Sequence, residues 1–148
     1  MILQIQIGTN NPILRQKAKK VKHINSKIKE IISNMIDTVR SNEIIAGLAA
    51  TQIGHSLQII VIDLGNKEES LTLINPEIEK TYRRKIIMEE SCMSVPNQSI
   101  LIKRPNKIIV KAIDINNNPV KIKAKGILAR IIQHEIDHLN GILICDYK

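Results

Sequence analysis

Near the end of the chain, His134-Glu135-Ile136-Asp137-His138 holds two imidazoles four positions apart with a carboxylate between them. On a helix, residues at i and i+4 project from one face about one turn apart, so both imidazoles can bind one cation. Glu135 then stands where its carboxylate can take a proton from a water held by that cation. Chemistry of this kind activates water for hydrolysis. Two imidazoles facing a core are costly without a partner, which argues against a chance pattern on a solvated helix.

A third ligand is expected from upstream. Only ten residues follow His138, and the third-His slot of the longer HExxHxxGxxH pattern is Ile144, although Gly141 matches its glycine. The soft candidates are Cys92, Cys145, His23 and His55. Cys145 follows an apolar run and reads most simply as a buried small hydrophobe. His23 in its Lys-rich stretch and His55 beside a Gly turn read as solvated surface residues. Cys92 lies in the loop-like, polar run Glu89-Glu90-Ser91-Cys92-Met93-Ser94-Val95-Pro96. An inert free thiol is the plain reading there, but a Cys-His-His site would account for both motifs together.

The elements that must position these groups are legible in part. Residues 2–7 alternate like a strand, closed by Thr9-Asn10-Asn11-Pro12. Asn25 or Ser26 can cap a helix in which Ile28, Ile31, Ile32, Met35, Ile36 and Val39 fall at helical spacing, ending near Arg40 to Asn42. Residues 57–64 and 71–74 read as a hairpin around Gly65-Asn66, with Asn75-Pro76 breaking its second strand. Residues 100–102, 107–115 and 120–123 are further strands, the last two separated by the turn Asn116-Asn117-Asn118-Pro119. Residues 126–139 return to helical spacing, and Asn140-Gly141 stops the helix. The expected fold class is α+β: antiparallel β-sheets packed around a C-terminal HExxH-bearing helix, with one further N-terminal helix. Residues 1–148 are read as a single domain.

Composition narrows the function classes. The chain has 32 Ile, 16 Lys and 13 Asn, but two Tyr and neither Phe nor Trp. These abundant residues share A/T-rich codons, so the skew reads first as genome bias. With only Tyr82 and Tyr147, an aromatic base-stacking platform is excluded. A net charge of +8 invites a nucleic-acid reading, yet no helix-turn-helix, zinc-finger or RNA-binding signature accompanies it. A weak attraction to a polyanion such as the ribosome is the most that charge supports, with no sequence-specific nucleic acid as partner. The opening residues read as a strand and not as a signal peptide, and no apolar run approaches a membrane span. Two cysteines are too few for a disulfide scaffold, so a reducing cytoplasm is expected.

Three segments together resemble a known family. Gly47-Leu48-Ala49-Ala50-Thr51-Gln52, then Glu90-Ser91-Cys92-Met93-Ser94, then Gln133 through His138 are similar to the peptide deformylase signatures GxGLAAxQ, EGCLS and HExDH, in the family's order. Pro12-Ile13-Leu14-Arg15, the strand ending at Asp63, Asn75-Pro76, Arg104 and Asn140-Gly141 extend the likeness over nearly the whole chain. A short form is expected, without the extra C-terminal helix that some members carry.

The resemblance implies Cys92, His134 and His138 as metal ligands and Glu135 as general base, later passing a proton to the leaving amine. It implies the Gln52 amide and the Met93 backbone N–H as donors to the oxyanion of the formyl carbonyl. Gly47 would offer backbone polar atoms to the substrate peptide, and Glu90 and Arg104 would pair to orient the Cys92 segment. Ile45, Ala46, Ile127 and Ile131 are candidates for the apolar pocket of the substrate's Met side chain. One divalent ion is implied, Fe2+ in the cell, with Zn2+, Ni2+ or Co2+ as replacements. The implied substrate is the N-formyl group of formyl-methionine on nascent polypeptides. Competing readings are a deformylase-like paralogue with altered acyl-peptide specificity and a non-catalytic metal-holding module at the ribosome. This sequence departs from the family pattern at Ile45, which stands for the first glycine of GxGLAA, at Ala46, at Ser91 and at Met93. A β-branched Ile45 suits neither a positive φ nor close backbone approach.

Overall fold

The structure is a computed structural model that describes residues 1–65 and 69–147. Its elements are α1 (Pro12–Arg15), α2 (Ser26–Arg40), β1 (Gly47–Ala49), β2 (Ile59–Ile62), β3 (Leu71–Thr81), β4 (Lys85–Cys92), β5 (Val95–Pro105), β6 (Lys107–Ile113), β7 (Pro119–Lys125) and α3 (Ile127–Leu139). Short 3₁₀ turns cover Ala50–Ile53 and Ile144–Tyr147. Five strands form an antiparallel sheet in the order β1-β2-β3-β6-β7, and β4 pairs with β5 in a separate hairpin. This is the expected α+β arrangement.

Strand β2 shows how the sheet is held. All four of its residues are buried, with Ile60 and Ile62 facing the cluster under α3 and Ile59 and Val61 facing that under α2. A strand covered on both faces reads as a continuous apolar run, as Ile59-Ile60-Val61-Ile62 does. Helix α2 begins where expected, with the Asn25 side chain accepting from the Ile28 N–H, and buries Ile28, Ile31, Ile32, Met35 and Val39. Each such burial contributes about 1.5–3 kcal/mol. Helix α3 places Ala129, Ile132, Ile136 and Leu139 on the other face, and Gly141 ends it at φ 74°, with its N–H donated to the His138 carbonyl. A third cluster joins the hairpin to the chain ends: Val95, Ile100 and Ile102 pack with Leu14, Leu143 and Ile144.

Four expectations need correction. Residues 2–7 are not a strand. Leu3 and Ile5 do pack against the α2 cluster, but the segment finds no neighbouring strand and is fastened at separate points, Leu3 N–H to Thr38 Oγ1 and Gln6 N–H to the Gln52 carbonyl. Asn75-Pro76 does not end β3, because the strand absorbs the proline in a bulge with Asn75 at φ 54° and continues to Thr81. The Asn75 side chain meanwhile bonds both the N–H and the carbonyl of Val21. The run from Glu89 to Pro96 is not a loop. It is the end of β4 and the start of β5, with Cys92 opposite Val95 at the tip. The remaining correction is one of extent: β5 runs over Val95–Pro105, well beyond residues 100–102. Of the Gly65-Asn66 turn, Asn66 lies outside the described residues.

Candidate metal centre and active site

Helix α3 carries His134 and His138 on one face, and the β4–β5 tip lays Cys92 beside them. One donor atom from each of Cys92, His134 and His138 lies within 4.8 Å of the others. Cys92 Sγ stands 3.3 Å from His138 Nε2, close to the donor separation of about 3.5 Å in a tetrahedral Cys/His site. His134 Nδ1 is engaged at 2.9 Å by Glu90 Oε1, which leaves Nε2 for a cation. His138 is almost fully buried. His23 and His55 lie outside the cluster, as does Cys145, which is half-buried near Arg15 and Asp146.

Electrostatics match a cation site. Burial, reinforced by the positive charges of His134 and Arg104, lowers His138 to about 3, so it offers a neutral imidazole. Burial would lower His134 as well, but the Cys92 thiol and Glu90 outweigh it and raise it to about 10. Glu90 and the Cys92 sulfur thus favour positive charge at this centre, the place a divalent ion takes when ligands deprotonate. Two imidazoles with one thiol fit zinc, iron, nickel or cobalt better than magnesium or calcium.

Glu135 is buried beside this triad, its Oε1 4.0 Å from His134 Nε2 and its Oε2 without a hydrogen-bond partner among the described residues. Burial raises its carboxyl to about 7, against the lowering effect of His134. Gly47 explains why this position carries no side chain: a Cβ there would lie 2.9 Å from Ile131 Cγ2 and 3.0 Å from Glu135 Oε1. Gln52 is fixed from both ends. Its Oε1 accepts the Ala49 N–H at 3.0 Å, and its Nε2 donates to Ser94 Oγ at 3.1 Å and points to Cys92 Sγ at 3.7 Å.

A groove of about 570 Å³ opens over these groups. It is lined by Ile45, Ala46, Gly47, Gln52, Met93, Ile127, Ile131, His134 and Glu135, so the structure gathers every proposed pocket residue at one site. Ile45 is half-buried, lines the groove and also packs against the α2 cluster. It does not adopt a positive φ, so a side chain is accommodated where the family pattern has glycine.

Glu90 and Arg104 meet as expected, in a two-point fork at 2.6 and 3.0 Å. The network is larger than the sequence reading. Arg130 also donates to Glu90 at 2.5 Å and to the carbonyls of Ile102 and Ile86, while Arg104 reaches Asp137 at 2.9 Å. Tyr147 closes the set through its hydroxyl, which donates to Asp137 Oδ2 at 2.6 Å. Gln133 donates to the Pro105 carbonyl. Arg130 and Gln133 thereby tie the β4–β5 hairpin to α3 and hold Cys92 against the two histidines. Sequence reasoning missed Arg130, Ser94 and Tyr147. Arg130 carried a signal: a charged residue one turn before His134, on a buried helix, needs a buried partner.

Comparison with known proteins agrees with this geometry. The family described as polypeptide deformylase matches residues 3–148. A peptide deformylase from Dictyoglomus turgidum is 48% identical over 148 residues, covering 99% of this chain and 92% of its own. One from Halothermothrix orenii is 49% identical over 146 residues, covering 98% and 92%. Among solved structures, peptide deformylase from Thermotoga maritima superposes with a TM-score of 0.92 at 36% identity, covering 99% of this chain and 97% of that one. The enzyme from Synechococcus elongatus, in complex with actinonin, gives 0.91 at 40% identity, covering 98% and 78%. With the Cys-His-His cluster, the buried glutamate and the glutamine at its side all in place, the chain belongs to the polypeptide deformylase family.

Proposed function

We propose that Cys92, His134 and His138 hold one divalent ion, Fe2+ in the cell with Zn2+, Ni2+ or Co2+ as replacements, and that Glu135 is the general base beside it. The reaction is removal of the N-formyl group from nascent polypeptides, the activity of the family to which the chain belongs. The bound ion supplies Lewis acidity at the formyl oxygen and a water that ionises near neutral pH. Glu135, with a carboxyl near 7 and an Oε2 that has no partner among the described residues, takes up a proton at Oε2 and returns it to the leaving amine. The Gln52 Nε2 group and the Met93 backbone N–H donate to the oxygen that becomes negative, where fixed donors are worth more than in water. Gly47 presents backbone polar atoms to the peptide, and Ile45, Ala46, Ile127 and Ile131 receive the methionine side chain. Glu90 and Arg104, joined by Arg130, keep His134 and the Cys92 strand in register.

The single observation that carries this reading is the convergence of the three donors within 4.8 Å beside a buried Glu135 oxygen that has no hydrogen-bond partner among the described residues. A module that only held metal would require neither Glu135 nor the doubly anchored Gln52. We place the protein in the cytoplasm, as one catalytic domain in weak contact with the ribosome. Among the described residues no helix is long and apolar enough to cross a membrane. The test is formate release from a formyl-Met tripeptide by Ni(II)- or Fe(II)-loaded protein, with oxygen excluded for iron. Release only from peptides with another acyl group would favour the altered-specificity reading, and no release from any would refute the enzyme.

A further inference from the structure

The chain's positive charge is not spread as codon bias would spread it. Residues 80–125 contain eleven Lys and Arg against three Asp and Glu, which equals the whole net charge of +8, and the remaining residues are balanced at eleven of each. The fold then gathers most of that excess at one end. Lys85 lies at the β4–β5 end opposite Pro105, Lys107 lies opposite Lys125 in the β6–β7 pair, and the Tyr82 N–H donates to the Lys107 carbonyl at 3.0 Å. The Asn106 N–H reaches the Arg84 carbonyl at 2.9 Å, which closes the two hairpins against each other. Lys80, Arg83, Arg84, Lys85, Lys103, Lys107, Lys123 and Lys125 are all exposed there.

Lys111 and Lys121, also directly opposite each other, are neutralised by Glu77 at 3.2 Å and Glu79 at 3.1 Å. The eight cations at the sheet end have no ion pair among the described residues. Two of them share one ring, with Lys80 Nζ 4.7 Å and Lys107 Nζ 4.5 Å from the centroid of Tyr82. Like charges directly across a ladder, and two ammonium groups on one ring, repel and lower stability in the free protein. That cost disappears when an extended row of anions lies along them. Lysines two apart on a strand, such as Lys123 and Lys125, stand ~7 Å apart along one face, which presents cations to a linear polyanion in series.

We infer that the sheet end formed by residues 80–85, Lys103, Lys107, Lys123 and Lys125 is a docking surface for the phosphate backbone of RNA, read without regard to sequence. A nucleic-acid backbone is favoured over a lipid surface because the β6–β7 face that carries Lys107, Lys123 and Lys125 exposes no large apolar side chain among the described residues, Ile109 being half-buried between the lysines; the exposed Ile87, opposite Lys103, and Leu101 lie on the separate β4–β5 hairpin. Sequence readout is absent because Tyr82 is the one aromatic ring there, and it is occupied by the two lysines. The surface ends at Gly126, whose N–H is fixed to the Asn106 carbonyl, and the next residue, Ile127, lines the substrate groove. An RNA-rich particle held here would therefore lie beside the groove and not across it. The placement next to the groove rests on the functional reading above, whereas the RNA contact itself does not.

The test compares the zinc-loaded protein with two variants of equal net charge in fluorescence anisotropy with a short labelled RNA duplex, between about 50 and 200 mM salt. K80Q/R83Q/R84Q/K107Q removes four cations from the surface, and K17Q/K22Q/K27Q/K29Q removes four exposed cations elsewhere. The first should lose at least about tenfold in affinity, with a salt dependence shallower by about 0.9 for each phosphate no longer neutralised, and the second should change less than about twofold. If the first melts early, K103Q/K123Q/K125Q carries the same expectation. Equal losses in both variants would reduce the effect to net charge and overturn the inference. So would the absence of salt-dependent binding by the unaltered protein, or tighter binding to phosphatidylglycerol vesicles than to RNA. Deformylation of a soluble formyl peptide should be the same in all proteins, and its absence from the unaltered protein would count against the functional reading alone.

Discussion

Glu90 is the point on which the metal centre's geometry turns, and Glu90→Gln tests that directly. Its carboxylate accepts from Arg104 Nε and a second Arg104 nitrogen, from Arg130 and from His134 Nδ1, at 2.5 to 3.0 Å, with its side chain only 6% exposed. The neutral amide keeps the shape but leaves two buried guanidiniums, of which Arg104 alone keeps a carboxylate partner among the described residues, Asp137. It also turns an N–H donor toward groups that are themselves donors. Removing one partner from a buried ion pair costs about 3–5 kcal/mol. With a urea slope near the middle of the usual range, that lowers the unfolding midpoint by about 2 M. Freed His134 and a loosened β4–β5 tip should also weaken zinc binding about 10- to 100-fold. Urea unfolding of the metal-free variant and chelator competition on the loaded one give the two numbers. Glu89→Gln is the control, since Glu89 is exposed on the same strand and should change stability by less than about 0.5 kcal/mol. A Glu90→Gln variant within about 1 kcal/mol of the parent, with zinc affinity unchanged, would refute the argument.

Cys92→Ala should abolish tight metal binding, measured by metal content after dialysis, while Cys145→Ala, outside the cluster, should retain the metal. Ile45→Gly should raise kcat/KM on formyl-Met peptides by about tenfold as the groove widens. Because Ile45 also packs on the α2 cluster, the same change should cost about 2 kcal/mol in thermal melts, and a loss of stability without any gain in activity would assign Ile45 to the core alone. Asp146 is held below its usual 3.8, first by the hydrogen bond from Arg15 and also by the Leu143 N–H, with burial opposing both. A carboxyl lowered in the fold contributes stability above its unfolded value and loses it as pH falls. Asp146→Asn should therefore lower Tm at neutral pH, and the difference should shrink below pH 3.8.

Both long helices were legible because each buries one stripe at a spacing that only a helix satisfies. Strand β2 was legible because both its faces are covered. Strand β4 was not, since Glu90 is its only fully buried residue and no apolar alternation marks it. That is also why the Cys92 segment reads as a loop until its cross-strand register is known. The opening residues mislead in the opposite sense: their alternation is real, but a strand needs a neighbouring strand and they have none among the described residues. Within the site, His134, Glu135 and His138 follow from helical spacing, and Cys92 was one of four soft candidates for the third ligand, whereas Gln52 and Glu90 were reached only through resemblance to a family. Ser94 and Tyr147 gave no signal, because their roles depend on partners 42 and 10 positions away in sequence.

The central claim is that Glu135 moves the proton and is not a ligand, and Glu135→Gln measured for both metal content and formate release tests it most directly. An amide cannot take up a proton near neutral pH, yet it fills the same space beside Gly47 and His134. The account predicts one divalent ion per chain in the variant, as in the parent, with formate release lower by several powers of ten. Loss of the metal, or activity within about tenfold of the parent, would contradict it.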